Sequence, residues 1–83
     1  MKIELLLFAR LKEAAGRDRW WLEIAEGTKV RELAQKIIHE PDLADCRELP
    51  LLYALNESFV TGDETLNEGD TLALMTPVAG GAA

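Results

Sequence analysis

Few residues in this chain of 83 are of a type and spacing that can do chemistry, and the pair Gly80-Gly81 stands out among them. It follows Pro77-Val78-Ala79 and precedes Ala82-Ala83, a stretch with no periodicity and nothing larger than Val78 to hold it down. Such an end is expected to be mobile. Pro77 should close the last strand, and the residues from there to Gly81 extend at most about 3.3–3.6 Å each, so Gly81 is expected to reach roughly 16–18 Å from the body. Glycines carry no Cβ, so the active site of another protein can close around their backbone. Glycine-rich ends are commonly just frayed; the position of this pair after a strand-ending Pro-Val is what gives it weight.

The other candidates point to structure rather than catalysis. The single cysteine, Cys46, can form neither an internal disulfide nor a metal cluster, which suits a reducing compartment. It reads as a small hydrophobe or an incidental loop thiol. His39, the only histidine, falls near the end of a helix, where a protonated imidazole favours the helix dipole. No His, Cys or carboxylate group has metal-ligand spacing and no glycine-rich phosphate loop is present, so the chain is expected to bind neither metal nor ATP by itself.

The body that must carry this tail is small. With 48% hydrophobic and 29% charged residues it can build one core and no second domain. A core of this size supplies on the order of 3–5 kcal/mol net, which leaves little for a deep catalytic cavity. Chemistry at an edge or a tail is the expected solution. The domain is expected to span residues 1–76, with 77–83 as the tail. No apolar run approaches the roughly 20 residues of a membrane helix, and the start, Met1-Lys2-Ile3-Glu4, lacks a signal-peptide cleavage pattern, so a cytoplasmic location and no membrane partner are expected.

The net charge of -6 is unevenly spread. From Glu48 onward there is no Lys or Arg, only Glu48, Glu57, Asp63, Glu64, Glu68 and Asp70, while the first 47 residues balance nine against nine. The tail therefore leaves from an acidic half. That surface repels phosphate backbones, which argues against nucleic acid, and it would be steered toward a protein with a basic groove. A merely solubilising surface is the plainer reading.

Lys2 to Arg10 is too short and too continuously apolar for an amphipathic helix and predicts a central strand covered on both faces. Arg19 to Ala25 predicts a second strand, joined to the first by a short helical or irregular turn that ends at Gly16, as a hairpin-like pair. Thr28 is the expected N-cap of a helix over Lys29 to Glu40. Val30, Leu33, Ala34, Ile37 and Ile38 share one face of it, and Glu32 with Lys36 makes an i, i+4 pair on the other. Pro41 stops the helix, and 41–50 reads as a loop. Leu51 to Asn56, Phe59-Val60 and Thr71 to Thr76 predict three more strands, the last entered through a tight turn in which Gly69 supplies a positive φ.

Strand, strand, helix and three strands give an α+β fold, a β-grasp: a mixed sheet of about five strands covered by one main helix. The crossover through the helix should bring a later strand back beside the first. Alternation points Ile3, Leu5 and Leu7 toward the helix and leaves Glu4, Leu6 and Phe8 on the open face. With Glu23 as the outward marker, Trp20, Leu22 and Ile24 point inward and Trp21 outward. Trp21 with Leu6 or Phe8 then forms an exposed apolar patch suited to a protein partner, unless the loop 41–50 folds over it.

Read in order, these pieces resemble a known family, the small subunit of molybdopterin synthase (MoaD-like sulfur carriers) of ubiquitin-like fold. The resemblance runs through Leu7-Phe8-Ala9-Arg10-Leu11-Lys12-Glu13 with Gly16 after it, Gly27-Thr28-x-Val30-x-x-Leu33, Ala54-Leu55-Asn56-Glu57, Leu66-x-x-Gly69-Asp70 and Pro77-Val78-x-Gly80-Gly81. The opening and the Pro-Val-x-Gly-Gly close are its most specific parts. The resemblance implies that the carboxylate of the second glycine is adenylated by an ATP-dependent enzyme of the ubiquitin-activating type. Sulfur from a persulfide donor, such as a cysteine desulfurase supplies, then gives a thiocarboxylate. The large synthase subunit would hold the tail and supply the catalytic acids and bases, and the sulfur would enter the dithiolene of a molybdenum or tungsten cofactor. On that reading Gly81 and Gly80 form the reactive end, Phe8, Arg10, Lys12, Trp21, Met75, Pro77 and Val78 contact partners, and the chain itself holds no cofactor.

Two departures from the family pattern matter. Members that act directly end at the second glycine, whereas here Ala82-Ala83 follow; they are trimmed by a peptidase, derive from cloning, or mark a chain no longer charged with sulfur. Where the family often has an aromatic residue before the tail, this chain has Leu74-Met75-Thr76, which shifts that contact to Met75. The same chemistry also serves a ubiquitin-like protein modifier or the carrier of another pathway such as thiamine synthesis. A plain β-grasp interaction module is the reading without tail chemistry.

Overall fold

The first strand, β1 (Lys2–Leu7), alternates as its sequence requires: Ile3, Leu5 and Leu7 are buried, while Glu4 and Leu6 on the opposite face are only half-buried. The computed structural model describes residues 1–77. The expected strand extension to Arg10 is not realised, because Ala9 takes a left-handed φ of 55° that turns the chain out of the sheet and into helix α1 (Ala9–Ala15). Leu11 anchors that helix in the core, and Gly16 ends it at φ 74°, its N–H donating to the Lys12 carbonyl at 3.0 Å. The segment whose composition left helix or irregular turn open is thus helical.

Strand β2 (Arg19–Glu23) pairs antiparallel with β1, Leu5 opposite Trp20 and Glu4 opposite Trp21. Helix α2 (Val30–Ile38) then crosses the sheet and buries all five residues of its apolar stripe. Its start corrects the expected cap. Lys29 is the N-cap, the Glu32 carboxylate accepts from the Lys29 N–H at 2.8 Å, and the Thr28 hydroxyl donates backward to the Ala25 carbonyl at 2.6 Å. Glu32 is drawn to the unpaired N–H groups of the first turn, and no Glu32–Lys36 ion pair forms among the described residues.

The end of α2 is held by a residue that local pattern does not reveal. Arg47 donates through Nε to the Ile38 carbonyl at 3.3 Å and through Nη2 to the His39 carbonyl at 2.8 Å, filling acceptors the helix leaves open. His39 is the C-cap, and its Nδ1 donates to the Gln35 carbonyl at 2.7 Å. The segment 41–50 is partly ordered as a 3-10 helix (Pro41–Cys46) that packs against α1 and α2 and buries Leu43 and Cys46. Cys46 therefore acts as a small core hydrophobe.

Strand β3 (Leu52–Leu55) turns through Asn56 and Glu57, both at positive φ (50° and 73°), into the short β4 (Ser58–Val60). Gly69, at φ 84°, makes the turn into β5 (Thr71–Met75) and donates to the Lys2 carbonyl at 2.8 Å. The sheet order is β2-β1-β5-β3-β4, with β5 parallel to β1 and the remaining pairs antiparallel. This is the expected β-grasp, with the crossover through α2 returning a late strand beside the first. The core lies between the sheet and the helices, and among the described residues no element covers the opposite face of the sheet, so β1 is covered on one face rather than on both as expected. No helix among the described residues is long and apolar enough to cross a membrane.

Candidate functional site

The uncovered face is set by register. Leu6 lies beside Arg19 on β2 and beside Ala73 on β5; Ala73 lies beside Ala54 on β3, and Ala54 beside Phe59 on β4. Two alanines side by side in the middle of a sheet leave a trough, walled by Leu6 and Phe8 on one side and by Met75 at its end. The resulting groove has a volume of about 530 Å³.

One end of the groove is polar and tied down. Glu4 receives Arg19 Nε at 3.1 Å on one carboxylate oxygen and the Thr71 hydroxyl at 3.3 Å on the other. Asn56 bridges its neighbours, donating to Asp70 at 3.0 Å and accepting from the Thr71 N–H at 2.9 Å. These bonds fix strand ends, and Glu57 stands at the rim. The other end is apolar. The Phe8 N–H donates to the Leu74 carbonyl at 3.1 Å, so Phe8 sits beside Met75 where β5 ends and the chain proceeds to Pro77. Phe8 is 45% exposed and Met75 half-buried.

Of the residues read from the sequence as partner contacts, Phe8, Trp21 and Met75 share this face, and Trp21 is 57% exposed. The segment 41–50 does not cover them; it lies on the helix side. Trp20 and Leu22 point inward but stay half-buried, because β2 is an edge strand. Arg10 is on α1 rather than at the end of the strand, and Lys12 is on α1 in the segment expected to follow it. Lys12 faces Asp18 at 3.7 Å between two largely exposed side chains, and Arg10 is exposed with no ion pair among the described residues. Pro77 is half-buried. Val78, Gly80 and Gly81 lie outside the described residues.

Sequence reasoning did not identify Ala54, Ala73, Arg19 or Phe59 as part of this surface. Small residues at alternate positions of two strands are the signal, but only the pairing of β3 with β5 makes them neighbours. Away from the groove, Arg31 is paired with Asp63, which raises its pKa above the ordinary value. The Glu64 carboxylate accepts the Gly62 N–H at 2.9 Å and the Thr61 N–H at 3.3 Å, which lowers its pKa. These contacts pin the 61–65 loop to the start of α2, where the Val30 N–H donates to the Glu64 carbonyl at 2.9 Å.

Comparison with known proteins agrees with this architecture. The model of the ThiS family matches residues 5–81. A molybdopterin synthase sulfur carrier subunit of Chlamydomonas reinhardtii is 31% identical, over 98% of this chain and 100% of that protein. Among solved structures, a Pyrococcus furiosus protein assigned as subunit 1 of molybdopterin converting factor superposes with a TM-score of 0.78 at 28% identity, covering 94% of this chain and 99% of that one. SAMP1 of Haloferax volcanii shares the fold with a TM-score of 0.78 at 22% identity, covering 95% and 98%. So does the Helicobacter pylori complex of subunits 1 and 2 of molybdopterin-converting factor, with a TM-score of 0.69 at 20% identity, covering 94% and 96%. With a family model spanning nearly all of its length and a relative matched from end to end, the chain belongs to the ThiS family, in the company of molybdopterin synthase sulfur carrier subunits.

Proposed function

We propose that this chain is the sulfur carrier subunit of a molybdopterin synthase, working through a thiocarboxylate on Gly81. The observation that carries the reading is positional. The apolar end of the groove, Phe8 and Met75, lies where β5 ends, so a partner that grips the uncovered face sits beside the exit of the Pro77-Val78-Ala79-Gly80-Gly81 segment. The body supplies grip and position, and the reactive carbon lies in the segment beyond it.

A carboxylate is a poor electrophile because its charge is shared over two oxygens. Adenylation by an ATP-dependent activating enzyme converts one oxygen into part of a leaving group. The outer sulfur of a persulfide donor can then attack the carbonyl carbon and expel AMP to give an acyl disulfide, and a second thiol attacks the donor's sulfur, forming a disulfide with it and releasing the thiocarboxylate. The thiocarboxylate so formed is a nucleophile that the large synthase subunit can direct at its pterin precursor. Acid–base catalysis is assigned to that subunit: of the groove's two carboxylates Glu4 is engaged by Arg19 and Thr71 and Glu57 stands at the rim, and its described lining holds no histidine or cysteine. The partners are therefore the large synthase subunit, the activating enzyme and the sulfur donor, in a cytoplasmic setting that provides ATP and reduced sulfur.

The reading is tested by complementation in cells that lack their own carrier subunit. A chain ending at Gly81 should restore molybdoenzyme activity, and one ending at Gly80 should not. Restoration by the shorter chain would overturn the role given to Gly81.

A further inference from the structure

The two edges of this sheet differ in a way that points to a second copy of the chain. Edge strands invite pairing and are usually blunted by shortness, proline, lysine or a bulge. Strand β4 is short, at three residues. Strand β2 is neither short nor interrupted: its register with β1 runs unbroken from Glu23 to Arg19, it contains neither Pro nor Lys, and its two charged side chains, Arg19 and Glu23, are of opposite sign and so do not repel a second copy laid antiparallel. Its backbone bonds to β1 are made at Asp18 and Ile24, bracketing the same alternation at Trp20 and Leu22. The N–H and C=O groups of Arg19, Trp21 and Glu23 therefore point away from the sheet.

Those same three residues carry opposite charges on the two sides of Trp21. An antiparallel β2–β2 pairing centred there sets Trp21 against Trp21 of the second copy, and Arg19 against its Glu23 on both sides. All three pairs fall at hydrogen-bonding positions of the ladder. Both charged side chains have capacity left. Arg19 meets Glu4 through Nε, and Glu23 meets the Met1 amine through Oε2 at 3.3 Å, each side chain remaining about two-thirds exposed (65% and 68%). A groove of about 390 Å³ beside the strand, lined by Leu22, Ile24, Leu33 and Ile37, offers apolar surface under the seam on the helix side.

We infer that the chain self-associates through β2 into a two-fold dimer with a continuous ten-stranded sheet, held by the Trp21 pair and two reciprocal Arg19–Glu23 contacts. The two-fold axis runs perpendicular to the sheet, so both grooves face the same side. The two β5 strands run antiparallel, five strand spacings or about 24 Å apart, and their ends point in opposite directions. Each groove thus remains accessible to its own partner. An interface built on one five-residue strand is at the small, transient end of the range, so the dimer is expected at about 500 µM and dissociated at about 5 µM. This inference is independent of the carrier reading, since it uses no residue of the tail.

Sedimentation of the full chain over that concentration range, with two charge variants, tests it. Arg19→Glu and Glu23→Arg should each be monomeric throughout, because each sets like charges against one another in the homodimer. Mixed in equal amounts they should form a heterodimer, since the pairing then matches carboxylates on one strand with guanidinium groups on the other. That recovery also shows that both variants are folded. In the wild type, hydrogen exchange at the Arg19, Trp21 and Glu23 amides should slow with concentration, while the Leu22 amide is protected at all concentrations. A wild type monomeric at 500 µM, single variants that still dimerise, or a mixture of the two that stays monomeric overturns the proposal.

Discussion

Truncating Phe8 to alanine tests whether the apolar end of the groove grips the large synthase subunit. An aromatic side chain of about 200 Å² that is 45% exposed leaves roughly 90 Å² for a partner to cover. At about 25 cal/mol per Å² that area is worth roughly 2 kcal/mol, or about 30-fold in Kd. Isothermal titration of the large subunit with wild type and Phe8→Ala should show weakening of about 10- to 30-fold, the smaller figure allowing for the Cβ that remains. Phe59→Ala is the control, because Phe59 is 71% exposed on the same face but stands on the far edge strand β4. If contact depended only on exposed apolar area, Phe59→Ala would do more harm than Phe8→Ala. The positional argument predicts less than about threefold for Phe59→Ala, the behaviour of a rim residue. A Phe8→Ala Kd within about twofold of wild type, with the fold intact by circular dichroism, refutes the assignment.

Three further outcomes follow from the body. Glu57 holds a φ of 73° in the two-residue β3–β4 turn, a conformation in which Asn-Gly is preferred, so Glu57→Gly should stabilise by about 0.5–1 kcal/mol and raise Tm by roughly 2–6 °C in a thermal melt. Leu5 is fully buried at the centre of β1, and Leu5→Ala should cost about 3–5 kcal/mol, enough to leave a domain of this size largely unfolded in denaturant titrations that the wild type survives. The Glu64 pKa is lowered by the Gly62 N–H first of all, so its contribution is fully present above its ordinary value of 4.5 and is lost as pH falls through the lowered folded value. Urea melts between neutral and strongly acid pH should show a shallower acid loss for Glu64→Gln than for wild type.

Most of the frame was legible in the chain because its two periodicities are strong. The alternation of Ile3, Leu5 and Leu7 and the stripe from Val30 to Ile38 each identify one buried face, and together they require the strand–helix layering observed. Glu23 was sufficient to place Trp21 outward. The misreadings lie where local preference competes with a tertiary partner. Thr28 is a good N-cap by type, but its hydroxyl finds the Ala25 carbonyl, and Glu32 answers the Lys29 N–H instead of Lys36. Ala9 looks like the continuation of a strand, and only its positive φ turns the chain into α1. Arg47 caps α2 from eight residues downstream of His39, beyond any helical spacing. The groove floor was illegible for a similar reason: Ala54 and Ala73 are 19 positions apart in sequence and become neighbours through the β3–β5 register alone. The reactive segment is the converse case, read from residue types and their order, with Val78, Gly80 and Gly81 outside the described residues.

The central claim is that Gly81 carries sulfur, and it is tested most directly by the mass of the chain itself. A chain ending at Gly81 would be incubated with the activating enzyme, ATP, a persulfide donor and a thiol reductant, then examined by intact mass spectrometry with fragmentation. The account predicts one oxygen exchanged for sulfur, localised to Gly81 and absent when ATP is withheld. An unchanged mass in the presence of all components, or sulfur found on Cys46 instead, would contradict it.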